Sequence, residues 1–176
     1  MRILSYIFTI LLFSCQKYDQ PASGKDYFFP VKQYLQKEMS EKSDKLTVVK
    51  TVKYNGKSES KTIENFSFTS DLKSFLDADI NKASLSDKYK GDTTIQKLIK
   101  IYNYTSLNEN LKTKNVRIML DNDKVSEIRI HNKGNSVIRS FEEFLVYQPE
   151  VGFDILIDQK LIKSDPSKAN INVKFQ

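Results

Sequence analysis

Val116-Arg117-Ile118-Met119-Leu120, then Asp121-Asn122-Asp123-Lys124, then Val125-Ser126-Glu127-Ile128-Arg129-Ile130 is the stretch that sets the fold class. Val116, Ile118 and Leu120 recur at every second residue, the period of a strand with one buried face. A polar break follows, and the chain returns with Ile128 and Ile130 again alternating. The pattern predicts an antiparallel hairpin with both apolar edges on one core.

Outward from that hairpin the chain reads as a meander. Asn132 to Asn135, with Gly134, predicts the next turn. In Ser136 to Tyr147, Ser140 and Glu143 have capping-box spacing, but Pro149 would stop a helix within about two turns and Leu145-Val146-Tyr147 prefers strand. Pro149 and Gly152 suit a turn, Phe153 to Ile157 a strand, Ser164 to Ala169 a loop around Pro166, and Asn170 to Phe175 a closing strand. On the other side, residues 94–104 carry Ile95, Leu98, Ile99 and Tyr102, which fit a helical face. The β-branched and aromatic content of Leu98 to Tyr104 favours strand.

Helices are expected in the first half. Pro30 suits a first turn, and Val31, Tyr34, Leu35 and Met39 make one apolar face, so a helix should run from Pro30 to Ser43. Leu46, Val48, Val52 and Tyr54 alternate, and Asn55-Gly56 demands a type I′ hairpin. The return strand from Lys57 to Thr62 is polar, with a bulge expected near Asn65. Thr69 or Ser70 caps a second helix whose Leu72, Phe75, Leu76 and Ile80 form a stripe ending near Asn81. Lys82 to Asp92 reads as loop. The expected fold is therefore α+β: two amphipathic helices packed on an antiparallel, meander-like and curved sheet, in one domain spanning residues 28–176.

The 176 residues include 39% hydrophobic and 28% charged side chains, the composition of a globular domain. The net charge of +6 comes from lysines interleaved with acids, which argues against a nucleic-acid groove. One cysteine and one histidine exclude disulfides and multi-histidine metal sites.

That cysteine, Cys15, closes a stretch in which Met1 and Arg2 precede an apolar run from Ile3 to Phe13, about half the ~20 residues that a membrane-spanning helix needs. The ending Leu12-Phe13-Ser14-Cys15 resembles the lipobox of bacterial lipoproteins of the Bacteroidota type. Gln16-Lys17-Tyr18-Asp19 resembles the Lys plus acidic tether that favours surface export in them. The resemblance implies a cleaved signal peptide over residues 1–14, acylation of Cys15, and a tether over residues 15–27. It also implies anchoring in the outer membrane, on the periplasmic face or at the cell surface. The wording of Leu72 to Tyr89, with Asp79-Ile80-Asn81-Lys82, is similar to segments of uncharacterised small lipoproteins of the same type, which brings no activity with it.

Catalytic patterns are sparse. His131 has no Gly-x-Ser-x-Gly partner in the chain. Asp121, Asp123 and Glu127 are spaced a little like a calcium loop, but Val125 and Ser126 stand where a ligand and a glycine belong, so a β-turn is expected. Glu142 and Glu143 should lie on opposite faces of a strand, which defeats a paired-carboxylate mechanism. Tyr102, Tyr104, Phe141, Phe144, Tyr147 and Phe153 read chiefly as core, with an apolar pocket for acyl chains or hydrophobic peptides as the functional alternative.

The sequence thus points to an envelope lipoprotein without cofactor or metal, an interaction or structural module that meets the membrane through Cys15 and has an envelope protein or a hydrophobic ligand as its partner. Two alternatives stand beside it: a lipid or lipoprotein carrier with an apolar pocket, and a glycan-active enzyme that uses loop carboxylates. Cys15→Ser is expected to abolish acylation, because no other cysteine can replace it, and to move the protein from the detergent to the aqueous phase on Triton X-114 partition. Retention in the detergent phase would refute the lipobox.

Overall fold

The computed structural model describes residues 26–43, 45–68 and 70–176. Cys15, the signal sequence, most of the tether and Thr69 lie outside the described residues. One helix of three turns, α1 (Val31–Lys42), precedes the hairpin β1 (Val48–Tyr54) and β2 (Lys57–Ile63). A short helix α2 (Lys73–Asp77) and a 3-10 turn at Ala83–Leu85 lead to seven further strands. These are β3 (Tyr89–Gln96), β4 (Ile99–Ser106), β5 (Thr113–Asp121), β6 (Lys124–Asn135), β7 (Arg139–Gln148), β8 (Gly152–Leu161) and β9 (Ser167–Phe175).

All nine strands form one antiparallel sheet in the order β2-β1-β9-β8-β7-β6-β5-β4-β3. From β3 to β9 it is an uninterrupted meander, and β9 then pairs with β1 as well as β8. Strand alternation sorts the side chains. Tyr104, Val116, Ile118, Ile128, Ile130, Leu145, Tyr147, Phe153, Ile155, Val173 and Val48 share the face packed against α1, α2 and the segment between β2 and β3. There Val31, Leu35, Phe68, Leu72, Phe75 and Ile80 are at most 1% exposed. Phe75 meets Tyr147 and Phe153 edge-on, and Phe66 does the same with Phe68. This core is filled with side chains.

The sheet dominates, and the expectation of a balanced α+β fold with two amphipathic helices is corrected accordingly. Only α1 is a full helix, within one residue of the expected limits at each end; α2 has five residues and no side-chain cap. It stops at Ala78 because the next side chains are needed elsewhere. The Asp79 carboxylate accepts the Lys32 N–H at 3.3 Å in the first turn of α1, whose own N-cap Pro30 offers no side-chain acceptor. Asn81 Oδ1 accepts the N–H groups of Tyr27 and Phe28, and its Nδ2 donates to Asp26. Tertiary pairing has overridden the helical stripe.

Other boundaries shift for related reasons. The Asn55-Gly56 turn has φ of 46° and 85°, as type I′ requires, and Asn122-Asp123 has 51° and 60°, so both expected hairpins form. Asn65 also has positive φ, but β1 and β2 pair without a register shift, so no bulge lies within that hairpin. Bulges sit instead in the β5–β6 pair, between Thr113 and Asn115 and between Met119 and Leu120. Asn132 to Asn135 is strand and not turn, because β6 continues until Ser136 closes on Arg139. The last four residues of the expected loop Lys82 to Asp92, from Tyr89 on, start β3, an exposed edge strand held by backbone pairing with β4 and so lacking an apolar period.

Two outcomes follow from this packing. A Cβ at Gly152, where φ is 138°, would lie 1.9 Å from the Val173 carbonyl oxygen; Gly152→Ala should cost about 3 kcal/mol or more in urea unfolding. Burial raises the Asp79 carboxyl above its ordinary value of 3.8, so the stability this group contributes is full below that value and declines as pH rises through its raised one. Asp79→Asn keeps an acceptor for Lys32 and should gain on the native protein between pH 4 and pH 7, whereas Asp79→Ala loses a cap worth about 1 kcal/mol. Urea midpoints across that range measure both.

Candidate functional site

The face of the sheet turned away from the helices holds the only histidine. His131 on β6 stands opposite Phe144 on β7, and their rings stack with centroids 4.5 Å apart and planes 3° from parallel. His131 Nε2 lies 2.8 Å from Glu142 Oε1; an ionised carboxylate only accepts, so the ring nitrogen carries the proton. Lys133 Nζ approaches the same carboxylate at 3.7 Å. The histidine is thus bonded to an acid and stacked on an aromatic ring, and among the described residues no hydroxyl or thiol is bonded to its Nε2. Leu156 on β8 is the cross-strand neighbour of Phe144, and the two are 43% and 45% exposed.

The other expected residues separate. Glu143 points to the helix side, as expected from its parity against Glu142, and accepts from Asn132 Nδ2 at 3.2 Å. Asp121 accepts from Asn122 and Asp123 sits in the turn, while Glu127 takes a bidentate bond from Arg129 at 2.5 and 2.9 Å. The three carboxylates do not converge, and among the described residues no group of three or more His, Cys, Asp or Glu side chains is placed to hold a metal. Tyr104, Tyr147 and Phe153 are core. Tyr147 donates to Glu38 on α1 at 3.0 Å, and burial pushes its phenol far above the usual range.

Two open clefts lie where the strands outrun the helices. One of about 600 Å³ is bounded by the β4–β5 loop and by Lys114, Lys133 and Asn135. The other, of about 270 Å³, is lined by Phe141, Lys133, Glu142, Asp158 and Lys160 among others. Glu142 and Asp158 face each other across β7 and β8, yet Glu142 is bonded to His131 and Asp158 lies 3.0 Å from Lys168. Both clefts suit polar or anionic groups and contain no nucleophile paired with a base.

Phe144 is the residue that the aromatic cluster concealed. The parity of Leu145 and Tyr147, carried back one strand position, puts it on the opposite face. A search of protein-family models, curated proteins and solved structures finds no match for this chain. Phe144→Ser and Leu156→Ser should each leave stability within about 0.5 kcal/mol, while buried Leu145→Ala should cost about 2–5 kcal/mol. Thermal melts of the three variants test that division between the faces.

Proposed function

We propose that this protein is an envelope lipoprotein, anchored through an acylated Cys15 in the outer membrane, whose domain serves as a non-catalytic interaction module for another envelope protein. The observation that carries the reading is the asymmetry of the sheet. One face is spent on a filled core, while the other presents Phe144 and Leu156 beside His131 and the charged set Glu142, Lys133 and Arg129. Aromatic and aliphatic anchors among charged neighbours are the composition of a recognition surface.

The filled core weighs against the carrier alternative, since an acyl chain would need the volume that Phe68, Leu72 and Phe75 occupy. A proximity-labelling enzyme fused to the C-terminus in intact cells tests the module. The native protein is expected to label a defined set of envelope proteins, and Phe144→Asp with Leu156→Asp to lose it while remaining folded and membrane-bound. Identical label sets from both proteins would refute a partner on this face.

A further inference from the structure

The β6–β7 hairpin ends in Ser136-Val137-Ile138, and Val137 and Ile138 are 90% and 67% exposed. Beside it the end of β8 and the turn that follows expose Leu161 and Ile162, tied to the hairpin by the Ile162 N–H, which donates to the Ile138 carbonyl at 2.8 Å. One shallow hollow joins the four residues, with Arg139 and Lys160 on its rim. A turn tip this apolar gains nothing from packing within the chain.

The surrounding charge is one-sided. The segments that bound this end of the sheet, residues 107–114, 133–140 and 158–168, contain seven Lys or Arg and three Asp or Glu. The opposite end also exposes apolar residues, Ile95, Leu98 and Ile99, but there Lys97, Lys100 and Lys124 stand among Asp121 and Asp123. The chain also enters the domain at the basic end. Phe28 packs edge-on against Tyr89, the first residue of β3, and against Tyr104 near the end of β4, on the side of the sheet from which the β6–β7 hairpin projects.

We infer that Val137, Ile138, Leu161 and Ile162, with their basic collar, form a second membrane contact that docks on an anionic bilayer surface. The apolar tip enters the headgroup region while Arg139, Lys160 and Lys163 meet lipid phosphates, and each basic residue at such a surface strengthens attachment roughly five-fold. This deepens the anchored reading and rests on it, since an acyl chain near the entry point would hold the tip at lipid. The outer face of the sheet would then stand sideways to the membrane, open to a protein partner.

The test uses the full chain as cells process it, with Val137→Cys carrying an environment-sensitive fluorophore and Glu150→Cys, at the other end of the sheet, as control. Both are reconstituted in phosphatidylcholine vesicles with and without phosphatidylglycerol. Expected are a blue shift at position 137 with phosphatidylglycerol, quenching there by brominated lipid, and neither at position 150. Lys160→Gln with Lys163→Asn should lower the ratio of inserted to free tip by roughly five-fold for each lysine removed. Vesicle flotation reads the anchor separately. A protein that floats while position 137 stays in water overturns the tip proposal, and so does a blue shift that brominated lipid does not quench, which would mean burial against protein. If the protein does not float, the anchored reading falls, and the same emission and quenching with added vesicles, in the Cys15→Ser background, decide the tip alone.

Discussion

β9 is the strand on which the rest of the sheet depends. It pairs with β8 along one edge and with β1 along the other, placing Val173 between Phe153 and Lys50, and Phe175 beside Val48. Without that double pairing the β1–β2 hairpin would be an isolated two-stranded ribbon, and β2 brings almost no apolar surface to stabilise it. The pairing also closes a loop of more than a hundred residues. Contacts of such sequence separation slow folding more than they weaken the folded state. β3 to β8 join through short local turns, so the meander can form before β9 recruits the first hairpin, with α1 then trapped on the completed face.

The legible parts of this fold are those in which neighbouring residues carry the information. The type I′ turn at Asn55-Gly56, the hairpin turn across Asp121 to Lys124, the alternation around Ile118 and Ile128, and α1 all follow from local periodicity and turn chemistry. What stayed hidden is tertiary. Asp79 lies in phase with a helical stripe and Asn81 follows at its end, yet both serve as acceptors for the chain entering α1, and α2 keeps only five residues. Lys50 interrupts the apolar stripe of β1, and only its bond to Asp71 at 2.5 Å explains a lysine on the helix side of a strand. β3 has no pattern to read because an exposed edge strand owes its existence to its neighbour's backbone.

The candidate site was less legible still. Strand parity alone separates Glu142 from Glu143, and that inference needed no partner. The stack of His131 on Phe144 depends on the register of β6 against β7, which cannot be read while Asn132 to Asn135 is taken for a turn. Four residues of extra strand move the hairpin tip from Gly134 to Val137, and with it the most exposed apolar side chain of the domain.

Those extra residues are supported by a polar layer at the end of the core. Asn132 is fully buried, and Glu143 and Thr113 nearly so; Asn132 bonds to Glu143, and the Tyr89 hydroxyl donates to the Thr113 carbonyl at 2.7 Å. Beyond that layer the helices give no cover, and the sheet carries its own. The Phe141 ring lies where a Cβ on Gly134 would stand, within 2.4 Å of that position, so any other residue there would have to displace the ring. The Arg139 guanidinium sits 4.6 Å from the same ring and Lys112 5.8 Å from it. Cations over an aromatic face are worth about 0.5–1 kcal/mol each at an exposed site. They cover the Phe141 ring past the end of the hydrophobic core and line the projecting hairpin with positive charge. A single arrangement of Gly134, Phe141, Arg139 and Lys112 therefore covers the sheet past its core and determines the chemistry of its tip.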